Sequence, residues 1–189
     1  VGVWRHSEAR IRGMKRVQIE PHLSVTGACS AEWIPIKPKT DSAFLFAMLH
    51  VLLHEHAREK LDLPFLKDRT SSPYLNGPGG FFLRDQVTQK PLMFDLKSQR
   101  ALPFDTPGID PALEGSFTVD GIEIGADQDT ITHKAITVRP AFAHLVAHVK
   151  TYTPEWAAKI CDVPAAAIRR VTNEFLAHEH VGETIEIEG

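Results

Sequence analysis

At 189 residues the chain is long enough for one domain, or one and a half, around a real hydrophobic core. Its makeup, 43% hydrophobic and 24% charged, is that of an ordinary globular polypeptide, and a formal net charge of -3 without a dense basic patch gives a nucleic-acid partner no electrostatic support. No apolar run reaches the roughly 18 residues of a membrane span, and Cys29 and Cys161 alone are too few for an iron-sulfur cluster or a four-thiolate zinc site.

In chain order, Val1 to Trp4 reads as the tail of a strand. Ser7 to Met14 is polar and basic and reads as a short helix that Gly13 can end. Arg16 to Ile19 is the first strand, stopped by Pro21, which has no N–H to give to a ladder. An acidic turn at Glu20-Pro21-His22 and a small-residue loop from Ser24 to Ala31 lead to a second strand, Trp33 to Ile36. Pro35 restricts that strand to an edge or to its last positions. A strand ending in a carboxylate and running into a loop of Ser, Thr and Gly is what a nucleotide edge on an α/β sheet requires. Pro38-Lys39-Thr40-Asp41 then opens a long helix, with Thr40 and Asp41 both candidate N-caps. Its apolar residues from Phe44 to Leu53 cover nearly the whole circumference, so burial between layers or beneath another domain is expected.

Leu61 to Leu75 reads as a connecting segment with one turn around Leu63 to Leu66. Asn76-Gly77-Pro78-Gly79-Gly80 is a strong turn signal; it matches neither phosphate-binding glycine pattern, so a turn is what its glycines imply. Tyr74-Leu75, Phe81 to Arg84 and Pro91 to Phe94 suit a small antiparallel insertion. Residues 98–130, rich in Pro, Gly and Asp, read as a surface excursion with one hairpin-like piece at Gly115 to Ile124, and their aspartates fit no calcium loop. Helical order is expected again from Pro140, with an apolar face through Phe142, Leu145 and Val149. A second helix follows, capped by Thr153 with Pro154 at its first position, and then a third that Asp162 would cap, with Pro164 in its first turn. The expected fold class is α/β: a Rossmann-like parallel-sheet domain with buried helices and a small antiparallel β insertion, divided as 1–75, 76–130 and 131–189. The start without methionine and the closing alternation from Glu183 to Gly189 lead to the expectation of an incomplete domain, a piece of a longer chain.

Seven of the ten histidines are closely spaced, His50 with His54 and then His56, His144 with His148, and His178 with His180. Glu55 is out of register for His-Glu-x-x-His, so packing or solvent is the expected fate of these rings. No Gly-x-Ser-x-Gly elbow accompanies Ser24, Thr26 and Ser30, and nothing pairs Cys29 with a histidine, which leaves it a structural thiol.

Val17-Gln18-Ile19-Glu20-Pro21-His22-Leu23-Ser24-Val25-Thr26-Gly27-Ala28 and Trp33-Ile34-Pro35-Ile36-Lys37-Pro38-Lys39-Thr40-Asp41-Ser42-Ala43, with the apolar helix behind them, resemble the molybdopterin oxidoreductase superfamily related to dimethyl sulfoxide reductase. Tyr152-Thr153-Pro154-Glu155-Trp156-Ala157 and Val163-Pro164-Ala165-Ala166-Ala167-Ile168 are similar to helices that follow in that family. The likeness is good over 5–57 and 139–189 and loose over 76–130, where it touches a subgroup that includes aromatic-acyl-CoA oxidoreductases.

This resemblance implies a large catalytic subunit that holds molybdenum or tungsten between two pyranopterin guanine dinucleotides (bis-molybdopterin guanine dinucleotide). The present chain would take one guanosine end and be inactive alone. The cofactor-binding residues on that pattern are Glu20, His22, Ser24, Thr26, Lys39 and Asp41, with no catalytic residue and no metal ligand in this stretch. Glu20, in place of the commoner Asp, would face ribose or guanine N–H groups, and Asp41 would accept from guanine N1 and N2. Ser24 and Thr26 would contact the nucleotide or its phosphates. His22 stands where the family usually has Arg, and Lys39 replaces the Gly of Pro-Gly-Thr-Asp, where a turn of positive φ would be strained by a side chain. The implied partners are an iron-sulfur electron-transfer subunit, the remaining domains of the same polypeptide, and a 4Fe-4S cluster bound outside this chain. The parent chemistry would be oxygen-atom transfer or hydroxylation with two-electron transfer. The residues by themselves leave other readings open: Glu20 as a strand-end surface residue and Asp41 as a helix cap, in a nucleotide-binding domain without catalysis or a structural domain with an empty loop.

Overall fold

A computed structural model describes residues 2–178, and these divide into two compact units. The first is made of the chain up to Glu55 and resumes over Val149–His178; the second is His56–His148.

The first unit opens with helix α1, Gly2–Ile11, so the expected strand tail is helical from Gly2 onward. Gly13 ends it at φ +98°. The Met14 amide reaches Ala9 O and the Gly13 amide reaches Arg10 O, the paired bonds of a Schellman stop that only a residue at ease with positive φ makes without strain. Strand β1, Val17–Glu20, pairs in parallel with β2, Glu32–Pro35, in the register Val17 to Glu32 and Glu20 to Pro35. The two prolines lie where their missing donors permit, Pro21 just beyond β1 and Pro35 as the last residue of β2. Between the strands, the short helix α2, Val25–Ala28, is capped by Ser24. Helix α3, Asp41–His50, follows β2 and widens into a π-helical turn at Val51–Glu55.

Ala43, Phe44, Ala47 and His50 of α3 are buried, whereas Leu45 is 57% exposed, so the helix is covered on one side within this unit rather than all round. The core joins Ile34, Ile36, Phe44 and Ala47 to Ala157, Cys161, Val163 and Ile168. The last four come from helices α6, Pro154–Cys161, and α7, Ala165–His178, and the turn between them. Thr153 caps α6 as expected, its hydroxyl accepting from the Trp156 amide at 3.2 Å with Pro154 in the first turn. Asp162 corrects the expectation: it ends α6 in the left-handed region at φ 59°, its amide on Ala158 O. The carbonyl of Pro164 takes the first amides of α7, those of Ala167 and Ile168. Arg169 of α7 binds Glu55 and Glu155, and Arg170 binds Glu32 and Glu174, so ion pairs tie α7 to its surroundings.

The second unit is mainly antiparallel. After a 3-10 turn at Arg58–Lys60, helix α4, Leu63–Arg69, starts at Asp62, whose carboxylate accepts from the Phe65 amide; this is a longer helix than the single turn expected. Strand β3, Leu75–Asn76, joins β7, Thr130–Pro140, and β6, Phe117–Ile124, in the order β3-β7-β6. Strands β4, Leu92–Asp95, and β5, Arg100–Pro103, make a separate hairpin whose turn is held by the Asp95 carboxylate, which accepts from the Ser98 and Asp110 amides. Leu75, Leu83, Leu92, Phe94, Ala112 and Val138 form the core, with Phe94 stacked on Phe117. Residues 98–130 therefore carry strands and buried Pro111, Ala112, Leu113, Ile122 and Glu123, and are more than a surface excursion. Helix α5, Ala141–Val149, closes the unit where helical order was expected. The alternation at Glu183 to Gly189 lies outside the described residues.

Candidate functional site

Parallel pairing sets the carboxyl ends of β1 and β2 side by side. Glu20 closes β1 opposite Pro35, and its carbonyl accepts from the Ile36 amide at 3.4 Å, so the segment running to Asp41 leaves the sheet at the edge where Glu20 sits. In open α/β sheets this carboxyl edge is where ligands bind.

Glu20 is half-buried, and its two oxygens are used differently. Oε1 accepts from the Ser24 amide at 2.8 Å and from the Ser24 hydroxyl at 2.7 Å; among the described residues Oε2 receives only the side-chain amide nitrogen of Gln18 at 3.4 Å. The Ser24 hydroxyl in turn accepts from the Gly27 amide at 3.1 Å and so caps α2. Gly27 is buried against Glu20; a Cβ there would overlap Oε1 and lie 3.0 Å from Leu23 Cδ1. The hydrogen bonds from Ser24, the backbone one foremost, hold the Glu20 carboxyl below the usual range, and the nearby His22 adds to this. The indole N–H of Trp33 donates to Glu20 O at 3.1 Å, tying the end of β1 to β2.

Ser24 is thus part of the loop's own framework, with its donor and one acceptor position engaged. His22, Thr26, Lys39 and Asp41 are exposed. Among the described residues the Asp41 carboxylate has no hydrogen-bond partner, and it stands in the first turn of α3 without capping it. Thr40 occupies the N-cap position, but its hydroxyl donates to Lys37 O at 2.6 Å, so neither cap candidate uses its side chain as expected. Lys39 has φ +65°, the conformation a glycine would take without cost. The structure therefore brings Glu20, Ser24 and Gly27 into one hydrogen-bonded unit and sets His22 beside it. Lys39 and Asp41 follow on the segment that leaves that edge, with no bond to Glu20 among the described residues.

Sequence reasoning missed Arg16. Its guanidinium donates through Nη2 to Thr26 O at 2.7 Å and through Nε to Ser30 Oγ at 3.1 Å. A positive charge directly before a strand whose far end is acidic was the available signal, but the loop path that brings Thr26 back to it is set by tertiary structure.

His50 is buried and donates from Nδ1 to Val149 O at 3.0 Å while stacking on His54; Cys161 is buried and Cys29 exposed. His180 lies outside the described residues. Among the described residues no three His, Cys, Asp or Glu side chains group to hold a metal ion, and no helix is long and apolar enough to cross a membrane.

No protein-family model matches the chain. Similarity to individual proteins is extensive. A sulfite dehydrogenase subunit of Allochromatium vinosum is 32% identical over 184 residues, covering 89% of this chain and 17% of that protein. The alpha subunit of perchlorate reductase from Dechloromonas aromatica is 31% identical over 204 residues, covering 89% of this chain and 21% of the relative. A putative dimethyl sulfoxide reductase catalytic subunit of Halobacterium salinarum is 29% identical over 144 residues, covering 70% of this chain and 16% of that protein. The chain thus spans about a fifth of the relatives it matches. The mixed α/β fold with its parallel strand pair agrees with the motif resemblance, and together with these relatives it shows that the chain belongs to the molybdopterin oxidoreductase superfamily related to dimethyl sulfoxide reductase.

Proposed function

We propose that this chain holds the guanosine end of a molybdopterin guanine dinucleotide within the catalytic subunit of an oxidoreductase. The observation that supports this most is the parallel register of β1 and β2, which puts Glu20 and the turn leading to Asp41 on one carboxyl edge. The donor chemistry fits the group. A carboxylate with no internal partner, as in Asp41, accepts the N1 and N2 donors of guanine together, and such charge-assisted bonds are about twice as strong as neutral ones. Glu20 offers Oε2 to a ribose hydroxyl or a base N–H, since Oε1 is taken by Ser24. Thr26, His22 and Lys39 supply an exposed hydroxyl, an imidazole and a cation for the sugar and phosphates, while Ser24 shapes the loop that carries Thr26.

In the parent enzyme the cofactor is bis-molybdopterin guanine dinucleotide with molybdenum or tungsten, and it supplies two-electron chemistry coupled to oxygen-atom transfer or hydroxylation. The metal ligand and a 4Fe-4S cluster belong to other parts of the protein. The partners are an iron-sulfur electron-transfer subunit, together with the remaining domains of the catalytic polypeptide. The role of this chain is to bind and orient one end of the cofactor.

The test is Asp41→Asn in the full-length polypeptide, read as guanine nucleotide released by acid and as molybdenum or tungsten per polypeptide. Because Asp41 is exposed and unpaired internally, the thermal midpoint of cofactor-free protein should stay close to wild type. Nucleotide retention should fall by about 10-fold or more, the scale of one charged hydrogen bond. Full retention of both nucleotide and metal would remove Asp41 from the site and favour an empty structural loop.

A further inference from the structure

The loop between β1 and β2 is held at both ends by residues that bracket β1. At its start the Glu20 carboxylate grips Ser24. At its far end Arg16 takes hold twice over. Its carbonyl accepts the Ala31 amide at 2.9 Å and the Glu32 amide at 3.3 Å, and its guanidinium binds Thr26 O through Nη2 and Ser30 Oγ through Nε. The Ser30 hydroxyl also donates to Thr26 O, at 3.0 Å, so the guanidinium, the hydroxyl and the carbonyl close a three-membered network around Thr26. The Thr26 side chain itself faces solvent.

We propose that Arg16 is the positioning residue of this loop, gripping the Thr26 carbonyl so that the Thr26 hydroxyl stands ready for the nucleotide; its ligand-directed part rests on the guanosine reading above. Arginine suits the task because its planar fork meets a carbonyl and a hydroxyl at once with fixed geometry, whereas a lysine ammonium is a flexible point charge that would hold one of them. A loop ordered before the ligand arrives loses less entropy on binding. Arg16 touches the framework and acts on the ligand through Thr26.

The test uses the full-length polypeptide with Arg16→Gln, Arg16→Lys, Thr26→Val and the double variant Arg16→Gln/Thr26→Val. Two quantities are read: hydrogen exchange of the amides in 24–31 in cofactor-free protein, and guanine nucleotide released by acid per polypeptide from cofactor-loaded protein. Arg16→Gln should speed exchange of the Ala28, Cys29 and Ser30 amides by about 10-fold while α3 and α6 amides keep their protection, with Arg16→Lys in between. Nucleotide content should fall about threefold or more in Arg16→Gln and in Thr26→Val, and the double variant should fall no further than either single one. Unchanged loop exchange in Arg16→Gln overturns the proposal. So does faster exchange with full nucleotide content, or losses that multiply in the double variant. Wild-type protein that carries no guanine nucleotide overturns the guanosine reading instead, and the exchange result then decides the hold of Arg16 on the loop by itself.

Discussion

Two glutamates in this molecule lie under glycines, one in each unit, and they end in opposite states. Glu123 of β6 is 1% exposed and both its oxygens are in use: Oε2 accepts the Gly79 amide at 3.1 Å and His133 Nε2 at 2.8 Å, and Oε1 accepts the Phe81 amide at 3.1 Å. The glycine turn wraps it so closely that a Cβ on Gly77 would sit 2.6 Å from both oxygens. Glu20 has the same kind of neighbour in Gly27, yet only its Oε1 is saturated, and it stays half-buried at a sheet edge. A carboxylate satisfied on every side is a building element, since nothing is left for a ligand. A carboxylate that uses one oxygen to shape its loop and leaves the other weakly bonded is available for binding.

Breaking the buried member should have the larger effect. Glu123→Ala leaves the Gly79 and Phe81 amides and His133 without their acceptor, and a loss of about 3 kcal/mol is expected, read as a lowered denaturant midpoint. A cost below about 1 kcal/mol would mean that water replaces the carboxylate and that Glu123 is no keystone of the turn.

The paired glycine variants sharpen the contrast. Gly77→Ala drives a methyl group into a carboxylate that cannot move, with about 2 kcal/mol expected, the usual range for overpacking. Gly27→Ala meets the carboxylate end of a half-buried side chain that can swing outward, so its stability cost should stay near 1 kcal/mol. Its main effect should instead be loss of the Ser24 cap and faster exchange of the loop amides. Equal costs at the two positions, from parallel denaturation curves, would erase the distinction.

Lys39→Gly acts in the other direction. At φ +65° the lysine side chain strains the turn before α3, and glycine should relieve about 1 kcal/mol, raising the thermal midpoint. If Lys39 also contacts phosphate, the same variant weakens nucleotide retention, which separates its conformational cost from its ligand role.

Local signals carried much of the first unit and little of the second. Gly13, Pro21, Thr153 and Pro154 act within a few residues of themselves, and the structure uses each where the sequence predicts. The turn at Lys39 was legible only because a family pattern has glycine there. Asp162 misled because an aspartate between two helices caps the next one as readily as it tolerates the left-handed stop of the last. The hairpin of β6 and β7 was harder still. Its register shifts between Val119 and Gly121, with Ala135 at φ 48° and its amide on Asp120 Oδ1, so the buried face changes phase and Gly121, Ile122 and Glu123 are buried in succession. Burial of Glu123 depends on glycines more than forty residues away, which no window of sequence reveals. At the candidate site the carboxylates were legible from strand ends, but the division between Oε1 and Oε2, and the grip of Arg16, arise only once the loop closes.

The smallest expected effect is electrostatic and concerns Glu155, which shares Arg169 with Glu55. Hydrogen bonding to the guanidinium is the leading cause that lowers its carboxyl to about 2. A carboxyl lowered on folding binds fewer protons than it does unfolded, so its stabilisation is complete above the usual glutamate range near 4.3 and is lost as pH falls toward about 2. The side chain is 57% exposed, so solvent screens the pair and the contribution is small. Glu155→Gln should therefore leave stability nearly unchanged at pH 7 and flatten the acid limb of the stability curve slightly between about pH 4 and pH 2, with salt reducing the difference. Glu20 shifts in the same direction chiefly through hydrogen bonds from neutral Ser24, with His22 a lesser cause, so Glu20→Gln should alter the acid limb with less dependence on salt than Glu155→Gln. Measuring both variants at low and high ionic strength thus tells whether the loop is held by hydrogen bonding, as its geometry requires, or by charge.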